Sequence, residues 1–152
     1  MAVRKIIQES NILLRKISEP VENFDDGLVL LLEDLKDTLN DTKYGVGLAA
    51  IQIGVLKRVC IIVENGKLLE IINPKILNQS GAQELMEEGC LSVKNANTDG
   101  VVARSKRIRI EFQDRSGKIH QRERKGFAAR CILHEIDHMD GILFTDRMEK
   151  NA

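Results

Sequence analysis

Residues 127–139 read FAARCILHEIDHM, and this stretch decides the fold class. Its first half is apolar on nearly every side, and a helix of that character is buried inside a protein. Gly126 precedes the stretch, and Gly141 is placed to end a helix. We therefore expect a buried helix with the other elements packed around it.

Two histidines on this helix predict a metal site. His134 and His138 stand four positions apart, so both imidazoles lie on one helix face and can reach one ion. Glu135 follows the first histidine, where the glutamate of an HExxH sequence serves as a base. Polar groups inserted into an apolar helix are costly unless they have partners. This favours a metal site over chance polar residues on an amphipathic helix.

A third ligand is expected from upstream of His134. In the pattern HExxHxxGxxH the last histidine completes the site, but Phe144 occupies that position here. The upstream candidates are the three cysteines and the remaining histidine: Cys60, Cys90, Cys131 and His120.

Cys90 is the predicted third ligand among these candidates. Cys131 and His138 lie roughly 10.5 Å apart along the helix axis, so one straight helix cannot bring both of them and His134 to one ion. Cys60 falls in a strand-like apolar run and is expected to be buried. His120 falls in a charged segment and is expected to be exposed. Cys90 follows Gly89, which permits a sharp turn towards a ligand.

The segments before the helix predict an α+β fold. Leucines recur at helical spacing over 25–40, and Asp25 or Asp26 can cap that helix. Strand patterns cover 58–63, 68–72, 101–112 and 118–123, with a hairpin turn at Asn65-Gly66. Ile76 and Leu77 extend the second of these patterns beyond Pro74. This order predicts antiparallel strands packed around a central buried helix that carries HExxH.

Length, charge and composition exclude several classes of protein. The chain has 152 residues, read as one domain over 1–152, with 23 basic and 23 acidic side chains. No apolar run is long enough to span a membrane, and no signal peptide is recognisable, so a cytoplasmic location is expected. Zero net charge argues against broad nucleic-acid binding and specific DNA binding. The basic residues of 104–109 and 122–125 are expected to form a solvated face.

Three motifs together carry a family resemblance: GVGLAAIQ at 45–52, EGCLS at 88–92 and HEIDH at 134–138. In this order they resemble the peptide deformylase family, and the resemblance runs from about residue 14 to 148. It implies an α+β hydrolase that removes the N-formyl group from the formylmethionine of nascent polypeptides and releases formate.

The resemblance also implies roles for individual residues. Cys90, His134 and His138 match the metal ligands. A metal-bound water is expected to attack the formyl carbon with Glu135 as general base and acid. Oxyanion charge then develops where Gln52 and the backbone N–H of Leu91 donate hydrogen bonds. Contacts with the substrate peptide, including its methionine side chain, are expected from Val46, Gly47, Gly89, Phe127, Arg130 and Cys131.

Cofactor and partners follow from the same resemblance. One thiolate and two imidazoles suit Fe²⁺, Zn²⁺, Ni²⁺ or Co²⁺, and the family typically uses Fe²⁺. The expected partner is the formyl-Met end of a nascent chain. Any ribosome contact is expected to be transient and made without a long C-terminal helix, since only a short tail follows Arg147. The loop 93–100, VKNANTDG, lacks the proline and arginine of many members, which leaves the peptide preference open.

Two other functions compete with deformylation. A small HExxH peptidase fits the helix motif, although the EGCLS match counts against it. A binding module without activity fits the fold, although it needs no base such as Glu135 and no oxyanion donor such as Gln52.

Overall fold

A computed structural model describes residues 2–93 and 100–149 of the chain. Two α-helices, seven strands and three short 3₁₀ helices occur within these residues. The α-helices are α1 (Asp26–Asn40) and α2 (Gly126–Met139), and the 3₁₀ helices span Ile12–Arg15, Ala50–Ile53 and Phe144–Arg147. The strands are β1 (Gly47–Ala49), β2 (Val59–Glu64), β3 (Lys67–Gln79), β4 (Gln83–Glu88), β5 (Gly100–Ser105), β6 (Arg107–Gln113) and β7 (Ile119–Lys125).

The strands form two antiparallel sheets. One has five strands in the order β1-β2-β3-β6-β7, and the other consists of β4 and β5. Sheets built from neighbouring antiparallel strands, with helices outside the strand sequence, are typical of the α+β class. The predicted fold class is confirmed.

The two helices pack on opposite faces of the larger sheet. Val59 and Ile61 of β2 belong to the apolar cluster that contains the leucines of α1. The alternate residues Cys60 and Ile62 belong to the cluster that contains the apolar side of α2. Because strand side chains alternate between faces, a strand covered on both sides becomes a continuous apolar run. Cys60 is fully buried, as the sequence predicts.

The predicted helix 25–40 agrees with α1. Asp25 is its N-cap, and the Asp25 side chain accepts a hydrogen bond from the Leu28 N–H at 3.1 Å. Leu28, Leu32 and Leu35 are buried, so the apolar face of the helix packs against the large sheet.

The prediction of one strand over 101–112 is wrong. Residues 100–105 form β5, paired with β4, whereas 107–113 form β6, paired with β3 and β7. Lys106 lies between them; its N–H donates to Ala82 and its carbonyl accepts from the Gly126 N–H. The inward positions keep the same phase in both strands, at Val102 and Arg104 and then at Ile108 and Ile110, so the period of two gives no sign of the change of partner.

The returning strand of the first hairpin continues past Pro74. We expected a strand over 68–72 with an extension through Ile76 and Leu77, and β3 runs through both to Gln79. Asn73 has a φ of 51°, and the pairing with β6 shifts register between Ile72 and Lys75. An irregularity of this kind accommodates a proline, which has no N–H to donate to a ladder.

The acidic segment 83–88 was not predicted as a strand, yet it forms β4. It pairs with β5 along its whole length. This pairing places Glu88, Gly89 and Cys90 beside α2. The loop expected at 93–100 lies mostly outside the described residues. In the part of the chain that the structure covers, neither helix has the length and apolar character needed to cross a membrane.

Candidate metal centre and active-site cleft

Three segments that are distant in sequence meet at a cleft of about 380 Å³. The chain before and along β1, the turn after β4, and the first half of α2 form its walls. The predicted site residues that line the cleft are Val46, Gly47, Gln52, Gly89, Cys90, Leu91, Phe127, Arg130, Cys131, His134 and Glu135. The remaining one, His138, is 1% exposed and lies against Cys90.

The three predicted metal ligands come together. One ligand atom each of Cys90, His134 and His138 lie within 4.8 Å of one another. The Cys90 Sγ is 3.3 Å from the His138 Nε2, and the two imidazole centroids are 5.0 Å apart. The two histidines come from successive turns of α2, and Cys90 reaches them from the turn that follows β4.

The donor set fits a divalent metal ion. The His134 Nδ1 lies 2.9 Å from Glu88 Oε1, which leaves the His134 Nε2 for a metal, as carboxylates commonly do for ligating histidines. Burial lowers the pKa of His138 well below its ordinary value and favours the neutral imidazole that binds metals. Burial also acts to lower the pKa of His134, but hydrogen bonds with Cys90 and Glu88 outweigh it and raise that pKa to about 10. A metal ion at His134 therefore displaces a proton.

Glu135 is buried beside the ligands and faces β1. It is 4% exposed, and its Oε1 has no hydrogen-bond partner among the described residues. A Cβ placed on Gly47 would lie 2.7 Å from the Glu135 Oε2, so the carboxylate packs directly against the glycine backbone. Burial raises the pKa of Glu135 to about 7. A carboxyl group with that pKa can accept and donate a proton near neutrality.

Gln52 is held with its amide nitrogen towards Cys90. The Gln52 Oε1 accepts from the Ala49 N–H at 2.9 Å, and the Nε2 donates to the Ser92 hydroxyl at 3.0 Å. Because a backbone N–H can only donate, the first contact fixes which end of the amide is oxygen. The Nε2 also lies 3.6 Å from the Cys90 Sγ, which puts an N–H donor at the edge of the metal site.

A buried ion-pair chain, which the sequence did not reveal, lies behind the ligands. Arg104 donates to both oxygens of Glu88, at 2.9 and 3.0 Å, and to Asp137 at 2.5 Å. Burial by itself raises the pKa of Glu88, but His134 and Arg104 outweigh it and hold that pKa well below its ordinary value. Charges inside a protein are tolerated when they are paired in this way.

The expected solvated basic face is therefore wrong at Arg104, which is 5% exposed. Its neighbours Arg107 and Arg109 are exposed as expected. The available signal was the alternation itself, because Arg104 follows Val102 at a position that points inward. His120 is also less exposed than expected, since its ring stacks on Phe112 and its Nε2 lies 2.8 Å from Asp114.

The far wall of the cleft is formed by α2. Phe127 is 53% exposed at the mouth, whereas Cys131 is buried, and burial raises the pKa of its thiol to about 12. A thiol with that pKa stays protonated and behaves as a small apolar side chain. The Arg130 guanidinium donates to Glu88 at 2.5 Å and to the Val102 carbonyl at 2.9 Å.

Comparison with known proteins gives one family. The family model described as Polypeptide deformylase matches residues 3–152. "Peptide deformylase 2" of Clostridium acetobutylicum is 42% identical over 146 residues, which cover 96% of this chain and 95% of that protein.

Solved structures agree with this similarity. The crystal structure of peptide deformylase from Thermotoga maritima superposes with a TM-score of 0.93 at 36% identity, covering 99% of this chain and all of that one. A structure of the Acinetobacter baumannii enzyme with bound Met-Ala-Ser has a TM-score of 0.90 at 30% identity and covers 97% of this chain and 99% of that one.

Proposed function

This chain belongs to the polypeptide deformylase family, and on that premise we propose that it hydrolyses the formyl group of N-terminal formylmethionine with a divalent metal ion held by Cys90, His134 and His138. The observation that carries the proposal is the convergence of these three side chains within 4.8 Å, beside Glu135 in a cleft. Family membership supplies the reaction, and the site supplies the groups that the reaction needs.

The metal ion contributes electrostatic activation. When bound, a divalent ion with one thiolate and two imidazoles as ligands lowers the pKa of a water molecule towards neutrality and makes a nucleophile available. We propose Fe²⁺ as the native ion, with Zn²⁺, Ni²⁺ and Co²⁺ as alternatives that the same donor set accepts.

Glu135 moves the proton in this proposal. Its carboxylate takes the proton of the attacking water and passes it to the departing amine of methionine. Its buried position supports this role, because burial brings its pKa to about 7, near the pH at which both transfers must occur. Its Oε1 has no partner among the described residues and is available to a water molecule.

Gln52 and Leu91 are proposed to stabilise the oxyanion. The Gln52 Nε2 is aimed towards Cys90 by the Ala49 contact, and Leu91 follows Cys90 directly in the wall of the cleft. Loss of one donor of this kind typically slows catalysis by about 10²–10³-fold.

The substrate peptide is proposed to lie along the cleft as an added strand. β1 is an edge strand of the five-stranded sheet, so Val46 and Gly47 can pair with an extended chain. Gly89 allows a similarly close approach on the opposite wall. Phe127 and Cys131 offer apolar surface to the flexible methionine side chain. Arg130 supports this wall through its contacts with Glu88 and Val102.

Residues 1–152 are proposed to act as one catalytic domain. The cytoplasmic location and a transient ribosome contact stay predictions from the sequence. The formylated end of a nascent polypeptide is the partner that family membership supports.

A formate-release assay tests the proposal. We expect the Fe²⁺- or Co²⁺-loaded protein to release formate from formyl-Met-Ala-Ser and to leave acetyl-Met-Ala-Ser intact, because the acetyl group is larger. Glu135→Ala should retain metal and lose at least about 10²-fold in kcat, since general acid–base catalysis contributes about 10²–10⁴-fold.

Comparison of Cys90→Ala with Glu135→Ala distinguishes the role of a metal ligand from the role of the general base. This variant should fold but bind metal weakly, whereas Glu135→Ala should bind it normally. Full metal content in Cys90→Ala would overturn the ligand assignment. Cleavage of internal peptide bonds without formate release would instead indicate a small HExxH peptidase, and full activity of Glu135→Ala would overturn the role of the base.

A further inference from the structure

Asp137 of the HEIDH motif has no part in the proposed reaction, yet two arginines hold it inside the protein. Arg104 donates to its Oδ2 at 2.5 Å. Arg147 donates to both oxygens, with the Nε 2.6 Å from Oδ2 and the Nη2 3.0 Å from Oδ1. Asp137 is 7% exposed, so this carboxylate depends on the two guanidinium groups for its hydrogen bonds.

These contacts continue without a break to a metal ligand. Arg104 also donates one hydrogen bond to each carboxylate oxygen of Glu88, and Glu88 Oε1 lies 2.9 Å from the His134 Nδ1. The side chains therefore alternate in charge from Arg147 through Asp137, Arg104 and Glu88 to the His134 ring. We call Arg147, Asp137, Arg104 and Glu88 the positioning chain.

Arg147 ties the C-terminal segment to this chain. It is the last residue of the 3₁₀ helix 144–147, and its side chain is 46% exposed, unlike the buried members of the positioning chain. Phe144 of the same 3₁₀ helix stacks on the His134 ring with centroids 6.0 Å apart. Just beyond, the Glu149 N–H donates to the Val101 carbonyl at 2.8 Å and fastens the segment to β5.

The geometry gives Arg147 control over the orientation of Asp137. In the described part of the chain, Arg147 is the donor that reaches Asp137 Oδ1, so its loss frees the carboxylate to rotate about the Oδ2 contact. Arg104 must serve Glu88 and Asp137 with one planar guanidinium. A change in the plane of Asp137 therefore passes through Arg104 to Glu88, which sets the orientation of the His134 ring.

We propose that Arg147 is a positioning residue for the metal centre, acting on His134 through the positioning chain. This inference deepens the proposed function and rests on it. Partners that orient a ligating histidine typically change metal affinity or activity by about 10–100-fold. Arg147 stands four contacts away from His134, so we expect a smaller effect, about 3- to 10-fold.

Arg147→Gln tests the inference in the Co²⁺-loaded full chain. The main readout is the rate at which a chelator removes Co²⁺, which we expect to rise about 3- to 10-fold. The cobalt absorption bands should shift as the His134 ring reorients. In the formate assay kcat should fall by a similar factor while KM stays within about twofold, because the cleft wall is untouched. Arg147→Lys should recover part of the loss, since an ammonium restores the charge but not the paired hydrogen bonds.

Arg15→Gln is the matched control. Arg15 forms an ion pair with Asp146, the neighbour of Arg147 in the same 3₁₀ helix, and the Arg15 side chain is 47% exposed. Neither Arg15 nor Asp146 forms a hydrogen bond or salt bridge with the positioning chain among the described residues. Arg15→Gln should alter thermal stability about as much as Arg147→Gln and leave metal release unchanged. Equal metal release in the two variants would overturn the inference.

A double variant checks the route. Asp137→Asn combined with Arg147→Gln should release metal no faster than Asp137→Asn alone, because both changes interrupt the same chain. Additive effects would contradict transmission through Asp137. If Asp137→Asn fails to fold, the comparison of metal release between Arg147→Gln and Arg15→Gln still tests whether Arg147 positions the metal centre. If the wild-type protein binds no metal, the proposed function itself is contradicted. If the wild type binds metal normally and Arg147→Gln releases it at the wild-type rate, only this inference is contradicted.

Discussion

At the scale of single residues, the absence of a side chain at position 47 shapes the site as much as the groups that are present. Gly47 is buried and lies between Glu135 and β2. A Cβ there would meet the Glu135 Oε2 at 2.7 Å and the Ile61 carbonyl at 3.3 Å. Real Cβ atoms do not approach oxygen so closely, so the carboxylate occupies space that only glycine leaves free.

Gly47→Ala should therefore displace Glu135 and reduce activity. We expect kcat for formate release to fall at least about 10-fold, because small misplacements of catalytic groups have effects of up to about 10². The metal content should remain normal, since the nearest atoms to a Cβ at position 47 belong to Glu135 and Ile61 and not to the three ligands. Metal analysis and steady-state kinetics measure the two effects.

Gly81→Ala is the control for that substitution. A Cβ at Gly81 meets nothing within 4 Å, so this variant should behave as wild type. If Gly47→Ala has wild-type kinetics, the position of the Glu135 carboxylate does not depend on the missing side chain at position 47.

At the scale of elements, charged side chains hold the turn between β6 and β7 against α1 and β3. Glu70 of β3 accepts from the Arg115 Nε at 2.9 Å, and its Oε2 lies 2.7 Å from the Lys36 Nζ of α1. Arg115 belongs to the turn between β6 and β7. Glu70 thus joins α1, β3 and that turn at the edge of the protein.

This junction should make stability depend on pH. Burial by itself raises the pKa of Glu70, but Arg115 and Lys36 outweigh it and hold that pKa below its ordinary value of 4.5. A depressed folded-state pKa stabilises the fold above the unfolded value, and the stabilisation is lost as pH falls through the folded value. Glu70→Gln should lower the free energy of unfolding by about 1 kcal/mol at pH 7.

Urea denaturation at several pH values measures this difference. The gap between wild type and Glu70→Gln should shrink as pH falls below about 4.5, because Glu70 then binds a proton in the unfolded chain first and in the folded protein only at lower pH. Glu19→Gln is the control, since Glu19 is 77% exposed and 3.9 Å from its partner Lys57. A gap that persists unchanged at low pH would contradict the assignment to the charge of Glu70.

At the scale of the whole molecule, the metal site joins two regions that are far apart in sequence. Cys90 follows β4 of the small sheet, whereas His134 and His138 belong to α2, which packs on the large sheet. An ion bound to all three connects the two sheets through α2. Such binding stabilises the folded state because the unfolded chain lacks the assembled site.

Removal of the metal should therefore lower thermal stability. With free Co²⁺ or Zn²⁺ at about 100 times its Kd, the gain in free energy of unfolding is about 2.7 kcal/mol, or roughly 5–10 °C in Tm for a chain of this size. Calorimetry of chelator-treated and reloaded protein measures the shift. Cys90→Ala should show little of it, and an equal shift in that variant would point to metal binding elsewhere.

Part of the fold was predictable because local patterns report local structure. Apolar spacing predicted α1 and α2, and Asn65-Gly66 predicted the first hairpin. Ile76 and Leu77 indicated the extension of β3 past Pro74, whereas the change of partner at Lys106 and the pairing of β4 were not predictable. Each depends on which distant strand supplies the hydrogen bonds, and a period of two along one strand is the same for every partner.

By itself the sequence determined the chemistry of this protein: the residue types at 90, 134, 135 and 138, their spacing on one helix, and the family to which three motifs assign the chain. The tertiary structure alone decided how those residues are held. It showed that Gly47 makes room for Glu135, that Gln52 is aimed by Ala49, and that buried Arg104 joins Glu88 to Asp137. The physical reason is that burial and charge pairing arise between segments far apart in the chain, where the pattern of neighbouring residues carries no information.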